Sequence, residues 1–335
     1  MSHFIDPAAV PQRTLADGAR IPAIGLGTFG SDRYGAEEVA QAVYGAVKTG
    51  YRLIDCACVY QNEARIGEAF RRLIREGTVR REELFVTSKV WNDQHRQVRA
   101  ACEQSLADLG LDYLDFYFVH WPFPNYHAPG CGGDSRNPDS RPFSSAEFMD
   151  TWRQCEELVR AGLVRHIGMS NMTIPKLDAV LPLCAIRPAV LEMELHPAFQ
   201  QPALFEYAAA HGILPIGFCP LGSPTRPERD RAEGDVSDMQ LPEIVRIARA
   251  HGVHPALICL KWAVQRGQAP IAFSVEEPQY ADNLKCVTQD PITDAEMEQI
   301  RLADRNCRLV KGQVFLWKGA KGWEDLWDPA GSIVR

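Results

Sequence analysis

Short apolar runs alternate with amphipathic stretches along this chain, and the alternation recurs eight times. Runs such as LFVTSK up to Lys89 and LDFYFV up to Val119 are brief and dense in β-branched and aromatic residues, which favours buried strands over helices. Strands are predicted to end near Gly27, Asp55, Lys89, His120, Ser170, Glu194, Phe218 and Ser274. Helices are predicted between them, over 36–48, 62–76, 97–109 and 146–161 among others. Eight strand–helix units in one chain close most naturally into an α/β fold of the (β/α)8 TIM barrel type. Ahead of the first strand, Asp17-Gly18 sits between two short runs within 13–21, a strong hairpin signal.

Three segments break the rhythm. Residues 122–145 are rich in Pro, Gly, Asn and Ser and longer than a simple connection needs, so a long loop on the substrate side is expected. Residues 223–239 are strongly charged and expected to be mobile. The tail after Asn306 carries Phe315, Trp317, Trp323 and Trp327 but little helical periodicity. No linker divides the chain, so a single domain over 1–335 is expected, with a core over 13–306 and a tail over 307–335.

Composition narrows the partners. Hydrophobic content of 46% and charged content of 24% suit a protein with a full core. A net charge of −7 with scattered lysines and arginines gives nucleic acid no basic surface. The start, MSHFIDPAAVPQRT, lacks the basic and apolar regions of a leader, and no apolar run reaches bilayer length, so no membrane association and a cytoplasmic location are expected. Ten cysteines are spread singly, which fits a reducing compartment better than a disulfide framework. Cys56 and Cys58 form the one close pair, read as small buried residues in a strand-end turn; no metal site is expected.

Four residues carry the chemistry. Asp55, Lys89 and His120 each close a strand-like run, and Tyr60 follows Asp55 by five residues. Strand ends of a parallel barrel converge on one face. A phenol is a reluctant acid or base at neutral pH, with a pKa of about 10. A lysine ammonium beside it, itself held by an aspartate, is expected to lower that value. An imidazole at the same place can donate a hydrogen bond to a carbonyl oxygen and stabilise developing charge. Hydride must come from a cofactor, since no side chain supplies it.

Gly50-Tyr51-Arg52-Leu53-Ile54-Asp55 followed by Asn62-Glu63 and Gly67, together with His120-Trp121-Pro122, Gly168-Met169-Ser170-Asn171 and Glu194-Leu195-His196-Pro197, resembles the aldo-keto reductases, in the aldose and polyol branch. The resemblance runs from about Arg13 to about Asn306. It implies an N-terminal hairpin capping the barrel, catalysis by Asp55, Tyr60, Lys89 and His120, and an NAD(H) or NADP(H) cofactor. Cofactor contacts are implied for Thr28, Ser170, Asn171, Glu192, Phe218, Pro220, Leu221, Ser223, Ser274, Glu276, Asp282 and Asn283. Phe29, Trp91, Asn92 and Trp121 follow positions that wall the substrate pocket; an ordinary core role remains open for the aromatics, for Trp121 equally so. The family includes monomers and homodimers, and nothing here separates the two.

The departures from the family pattern are informative. Glu192 stands where the family has glutamine, and as a carboxylate it accepts hydrogen bonds but donates none. The family's lysine and arginine for a 2′-phosphate are Phe273 and Gln279 here, beside Glu276 and Glu277. Carboxylates suit ribose hydroxyls and repel a 2′-phosphate, so NAD(H) is expected over NADP(H), unless Arg226 or Arg229 supplies the cation. An NAD-linked member would act on a polyol, aldose or small aldehyde, in the oxidative direction by cellular habit. If a sugar phosphate were bound, Arg305, Arg308, Lys311 or Lys318 could meet it, although a solvated tail explains their charge more simply. Two other classes fit the residues less well: a nicotinamide-binding redox sensor without turnover, which need not keep all four residues, and a metal-dependent hydrolase, which needs more ligands at strand ends than His196 provides.

Overall fold

The chain opens with an antiparallel hairpin, β1 (Gln12–Thr14) and β2 (Arg20–Pro22). Its turn is set by the Asp17 carboxylate, which accepts the Ala19 N–H at 3.0 Å, and by Gly18 at φ +90°. In this computed structural model, which describes residues 4–30, 33–123, 140–222, 226–227 and 231–335, Leu15 and Ile21 from the hairpin are buried with Leu53, Phe116, Phe118, Val190 and Ile216 inside the barrel. The hairpin therefore plugs one mouth of the barrel, as the resemblance implied.

Strand–helix units follow: β3 (Gly25–Gly27), α1 (Ala36–Thr49), β4 (Leu53–Asp55), α2 (Glu63–Arg75), β5 (Phe85–Val90), α3 (Val98–Leu109), β6 (Leu114–Val119), α4 (Ser145–Arg160), β7 (Val164–Ser170), α5 (Ile174–Val180), β8 (Val190–Glu194), α6 (Pro202–Ala210) and β9 (Leu214–Phe218). An added helix, α7 (Pro242–His251), precedes α8 (Pro255–Arg266), β10 (Ala269–Ala272), α9 (Glu277–Cys286) and α10 (Asp294–Arg301). Parallel pairing of β10 with β3, Ile271 opposite Gly25, closes the eight-stranded barrel.

The boundaries follow the pattern closely, with local exceptions. The last strand stops at Ala272 rather than Ser274, because Ser274 leaves the sheet to accept the Glu276 N–H at 3.0 Å. Two family glycines have packing reasons. A side chain at Gly67 would fall on the carbonyl oxygen of Asp108, where α2 crosses the end of α3, and one at Gly168 would sit 2.6 Å from the Phe118 ring.

The tail forms two short 3-10 turns, Gln313–Phe315 and Trp323–Trp327, and packs back onto the barrel. Asp328 anchors it, accepting from the Thr173 hydroxyl at 2.5 Å and pairing with the buried Lys176 ammonium, which also donates to Leu326 O at 2.8 Å. The expectation of solvated charge is corrected for two of the four residues: the Arg308 guanidinium lies 3.4 Å from the centre of the Trp327 ring, and Lys311 pairs with Asp235 at 2.9 Å, while Arg305 and Lys318 are exposed. The charged segment after β9 is corrected likewise in its described part, since Asp235 is tied to Arg226 and Lys311 and Asp238 is fully buried. Among the described residues, no helix is long and apolar enough to cross a membrane, and the cysteines are free thiols.

Candidate active site

Asp55 and Lys89 meet at the ends of β4 and β5. The Lys89 ammonium is fully buried and donates to both Asp55 oxygens, at 2.7 and 2.6 Å, and to Cys56 O at 3.1 Å. Asp55 also accepts the Thr87 hydroxyl at 2.6 Å. Thr28 donates its hydroxyl to the Asp55 backbone oxygen at 2.8 Å, and Asn62 Nδ2 donates to Thr28 O at 2.8 Å. Thr28 thus lies in the frame that supports Asp55.

Tyr60 ends a one-turn 3-10 helix, Cys58–Tyr60, that Gln61 terminates at φ +56°. Its ring centre lies 5.4 Å from Lys89 Nζ, 5.8 Å edge-on from His120 and 5.2 Å from Phe29. His120 follows β6, with the Trp91 ring 5.1 Å away. The four residues that the sequence singled out therefore share one face of the barrel.

Their electrostatics follow from burial. Burial opposes the charge on Lys89, but Asp55, Glu192 and Tyr60 outweigh it and hold the amine above its ordinary range. Burial lifts the Tyr60 phenol well above its ordinary value, with Lys89 as the main opposing influence. The expected net lowering by Lys89 is corrected on this point: desolvation exceeds the pull of the ammonium. Burial, and then the Lys89 charge, keep His120 neutral, and its buried Nδ1 has no hydrogen-bond partner.

The next strands add polar groups. Ser170 and Glu192 are register partners on β7 and β8. Asn171, at φ +58°, donates its N–H to Glu192 O at 3.0 Å and its Nδ2 to His120 O at 2.9 Å and Ser170 Oγ at 3.2 Å. Its Oδ1 is buried and unpaired. Phe218 ends β9 half-buried; the Gly222 N–H then donates to Cys219 O at 2.9 Å, in a turn holding Pro220 and Leu221. Ser223 and Arg229 lie outside the described residues. Farther along, Ser274 donates its hydroxyl to Gln279 Oε1 at 2.8 Å, and the Phe273 ring lies 5.8 Å from Tyr34. Glu276 and Asp282 are exposed and Asn283 is buried.

Of the substrate-side residues, Phe29 is 39% exposed beside Tyr60. Trp91 spans His120 and Phe315, the latter at 5.8 Å. Trp121 is buried against Phe315 at 4.5 Å and Trp327 at 5.8 Å, a packed position. Asn92 is fully buried, with neither amide atom hydrogen-bonded.

Sequence reading missed two supports. Thr87 lies two residues before Lys89, on the same face of the strand by the period of two, so that signal was available. The second is a buried triad: His196 Nε2 lies 3.1 Å from Glu194 Oε1, and Nδ1 lies 2.9 Å from Asp238 Oδ2. No local signal announces Asp238 as its member.

A sequence model described as the Aldo/keto reductase family matches residues 23–305. The chain belongs to this family. An aldo/keto reductase of Synechocystis, slr0942, is 40% identical over 317 residues, covering 94% of this chain and 95% of that protein. An NADPH-dependent D-xylose reductase of Candida boidinii is 38% identical, with 89% and 95% covered. A Bombyx mori aldo-keto reductase, solved in complex with NADP, superposes with a TM-score of 0.79 at 31% identity, covering 90% of this chain and 95% of that one. Together they place this aldo-keto reductase in the aldose-reductase-like branch, an oxidoreductase of the carbonyl/alcohol class that uses a nicotinamide cofactor.

Proposed function

We propose that the protein interconverts an alcohol and a carbonyl of a polyol, aldose or small aldehyde, with Tyr60 as the general acid and base and NAD(H) as the preferred cofactor. The observation that carries this reading is the buried Asp55–Lys89 pair set against the Tyr60 ring and beside a neutral His120. The cofactor supplies and receives hydride. The chain's own residues handle the oxygen. Neutral His120 donates a hydrogen bond to it and fixes its place. Tyr60, kept protonated by burial, delivers a proton in reduction and takes one back in oxidation. Lys89 stabilises the phenolate formed in between, and Asp55 holds Lys89 in position.

The buried, unpaired Oδ1 of Asn171 beside Ser170 fits a carboxamide NH₂ group. For NAD(H), the support is the 273–279 segment: Phe273 packs near Tyr34, Gln279 is occupied by Ser274, and Glu276 and Glu277 are exposed. Arg226 is already paired with Asp235. A second reading, an NADPH-dependent reductase, is favoured by the NADPH dependence of the Candida boidinii relative and by the NADP in the Bombyx mori structure.

Parallel fluorescence titrations with NADH and NADPH test the preference: tighter NADH is expected, and tighter NADPH would hand the case to the second reading. Tyr60→Phe is expected to bind cofactor as the wild type does while turnover falls roughly 10²-fold or more. A fully active Tyr60→Phe protein ends the proposed role of Tyr60.

A further inference from the structure

The site holds one more buried carboxyl than its hydrogen bonds can serve. Glu192 on β8 places Oε2 3.6 Å from Lys89 Nζ. One ammonium thus faces two buried carboxyls, and its short contacts go to Asp55 and Cys56 O, leaving Glu192 Oε2 beyond hydrogen-bond distance. Glu192 Oε2 is buried with no hydrogen-bond partner. A carboxylate left in that state would bear an uncompensated desolvation cost, and it would be a second anion beside an Asp55–Lys89 pair that is already neutral in sum. A protonated carboxyl carries no charge, so it avoids the repulsion by Asp55 and keeps only the smaller cost of a buried neutral group. It also presents one donor and one acceptor, as a glutamine amide does.

We propose that Glu192 rests as a neutral acid and acts as a proton switch on the site, its ionisation setting a second anion against the ammonium that supports Tyr60. The proposal rests on the reading of Tyr60 given above. The titratable and charged groups facing Glu192 are Lys89 on β5, Asp55 on β4 and, farther off, Tyr60. Its register neighbours, Ser170 on β7 and Ile216 on β9, bring no charge. Burial, and then the charge of Asp55, push the Glu192 carboxyl up to about 8, against the pull of Lys89. Ionised Glu192 raises the Tyr60 phenol further, which makes it a poorer proton donor. Reduction should therefore slow on the alkaline side, with Glu192 as a positioning residue that acts through Lys89.

The test combines infrared spectroscopy and a pH profile on wild type, Glu192→Gln and Glu63→Gln. Glu63 is the control, because it is another buried carboxyl held above its usual range. Expected is a neutral-carboxyl C=O band in the wild type at neutral pH that Glu192→Gln lacks and that fades as the pH passes about 8. Wild-type reduction should fall beyond that point to a lower plateau, and Glu192→Gln should lose this alkaline step. An unchanged band in Glu192→Gln, or the same step in both proteins, would overturn the proposal. If Glu192→Gln does not fold, the band remaining in Glu63→Gln decides: titration near pH 8 supports the switch, and a band that ignores pH sinks it. A protein with the titrating band but no turnover would refute the enzyme reading while leaving the neutral Glu192 in place.

Discussion

Replacing His196 by asparagine removes the only cation between two buried carboxylates of the triad, and the size of the effect can be worked from the structure. His196, Glu194 and Asp238 are all fully buried, so solvent screening does not reduce their coupling. Burial opposes the imidazolium, but Asp238 and Glu194 outweigh it and raise the group from 6.5 to about 9. Each unit is worth about 1.4 kcal/mol, so the difference of about 2.5 units contributes about 3 kcal/mol to folding. The folded value lies above the unfolded one. The contribution is therefore complete below pH 6.5 and is lost as the pH rises through 9. Glu194 also accepts the N–H groups of Leu309 at 2.6 Å and Val310 at 2.9 Å, so the variant should loosen the tail as well. Urea denaturation followed by fluorescence of the seven tryptophans measures the gap between wild type and His196→Asn as a function of pH. A gap of about 3 kcal/mol or more in mild acid, narrowing from about pH 6.5 to about pH 9, is expected. A gap that stays constant across that window would refute the assignment of the charge to His196.

Two further changes probe other parts of the chain. Phe273→Lys combined with Gln279→Arg should move the ratio of NADPH to NADH affinity upward, incompletely while Glu276 and Glu277 remain, and the same titrations read it; no movement would place the ribose elsewhere. Asp328→Ala strips the partner from buried Lys176 and should cost about 3–5 kcal/mol, with faster proteolysis of the tail as the second readout.

The barrel was legible because its strands are short apolar runs with reactive residues at their ends, and both features survive in a single sequence. Asp55, Tyr60, Lys89 and His120 were visible for that reason. The sign of the shift at Tyr60 was not, because it depends on how far the folded barrel desolvates the phenol, which neighbours in sequence do not reveal. The same holds for Arg308 and Lys311. Their charges look solvated in one dimension, and only the fold brings Trp327 and Asp235 to them. Asp238 shows the limit most clearly: an acid in a charged, Gly-containing segment reads as surface, yet it ends fully buried against a histidine 42 residues away.

Phe315 comes from the far end of the chain, yet its ring rests on Trp121 and Trp91 beside His120. The barrel's seam is also a late event, since Ile271 must find Gly25. On the ribosome, the sheet thus becomes a closed cylinder only after Ile271 has emerged, and the wall beside His120 is laid only after Phe315 has. A nascent chain carries Asp55, Tyr60, Lys89 and His120 for a long interval before the barrel encloses them.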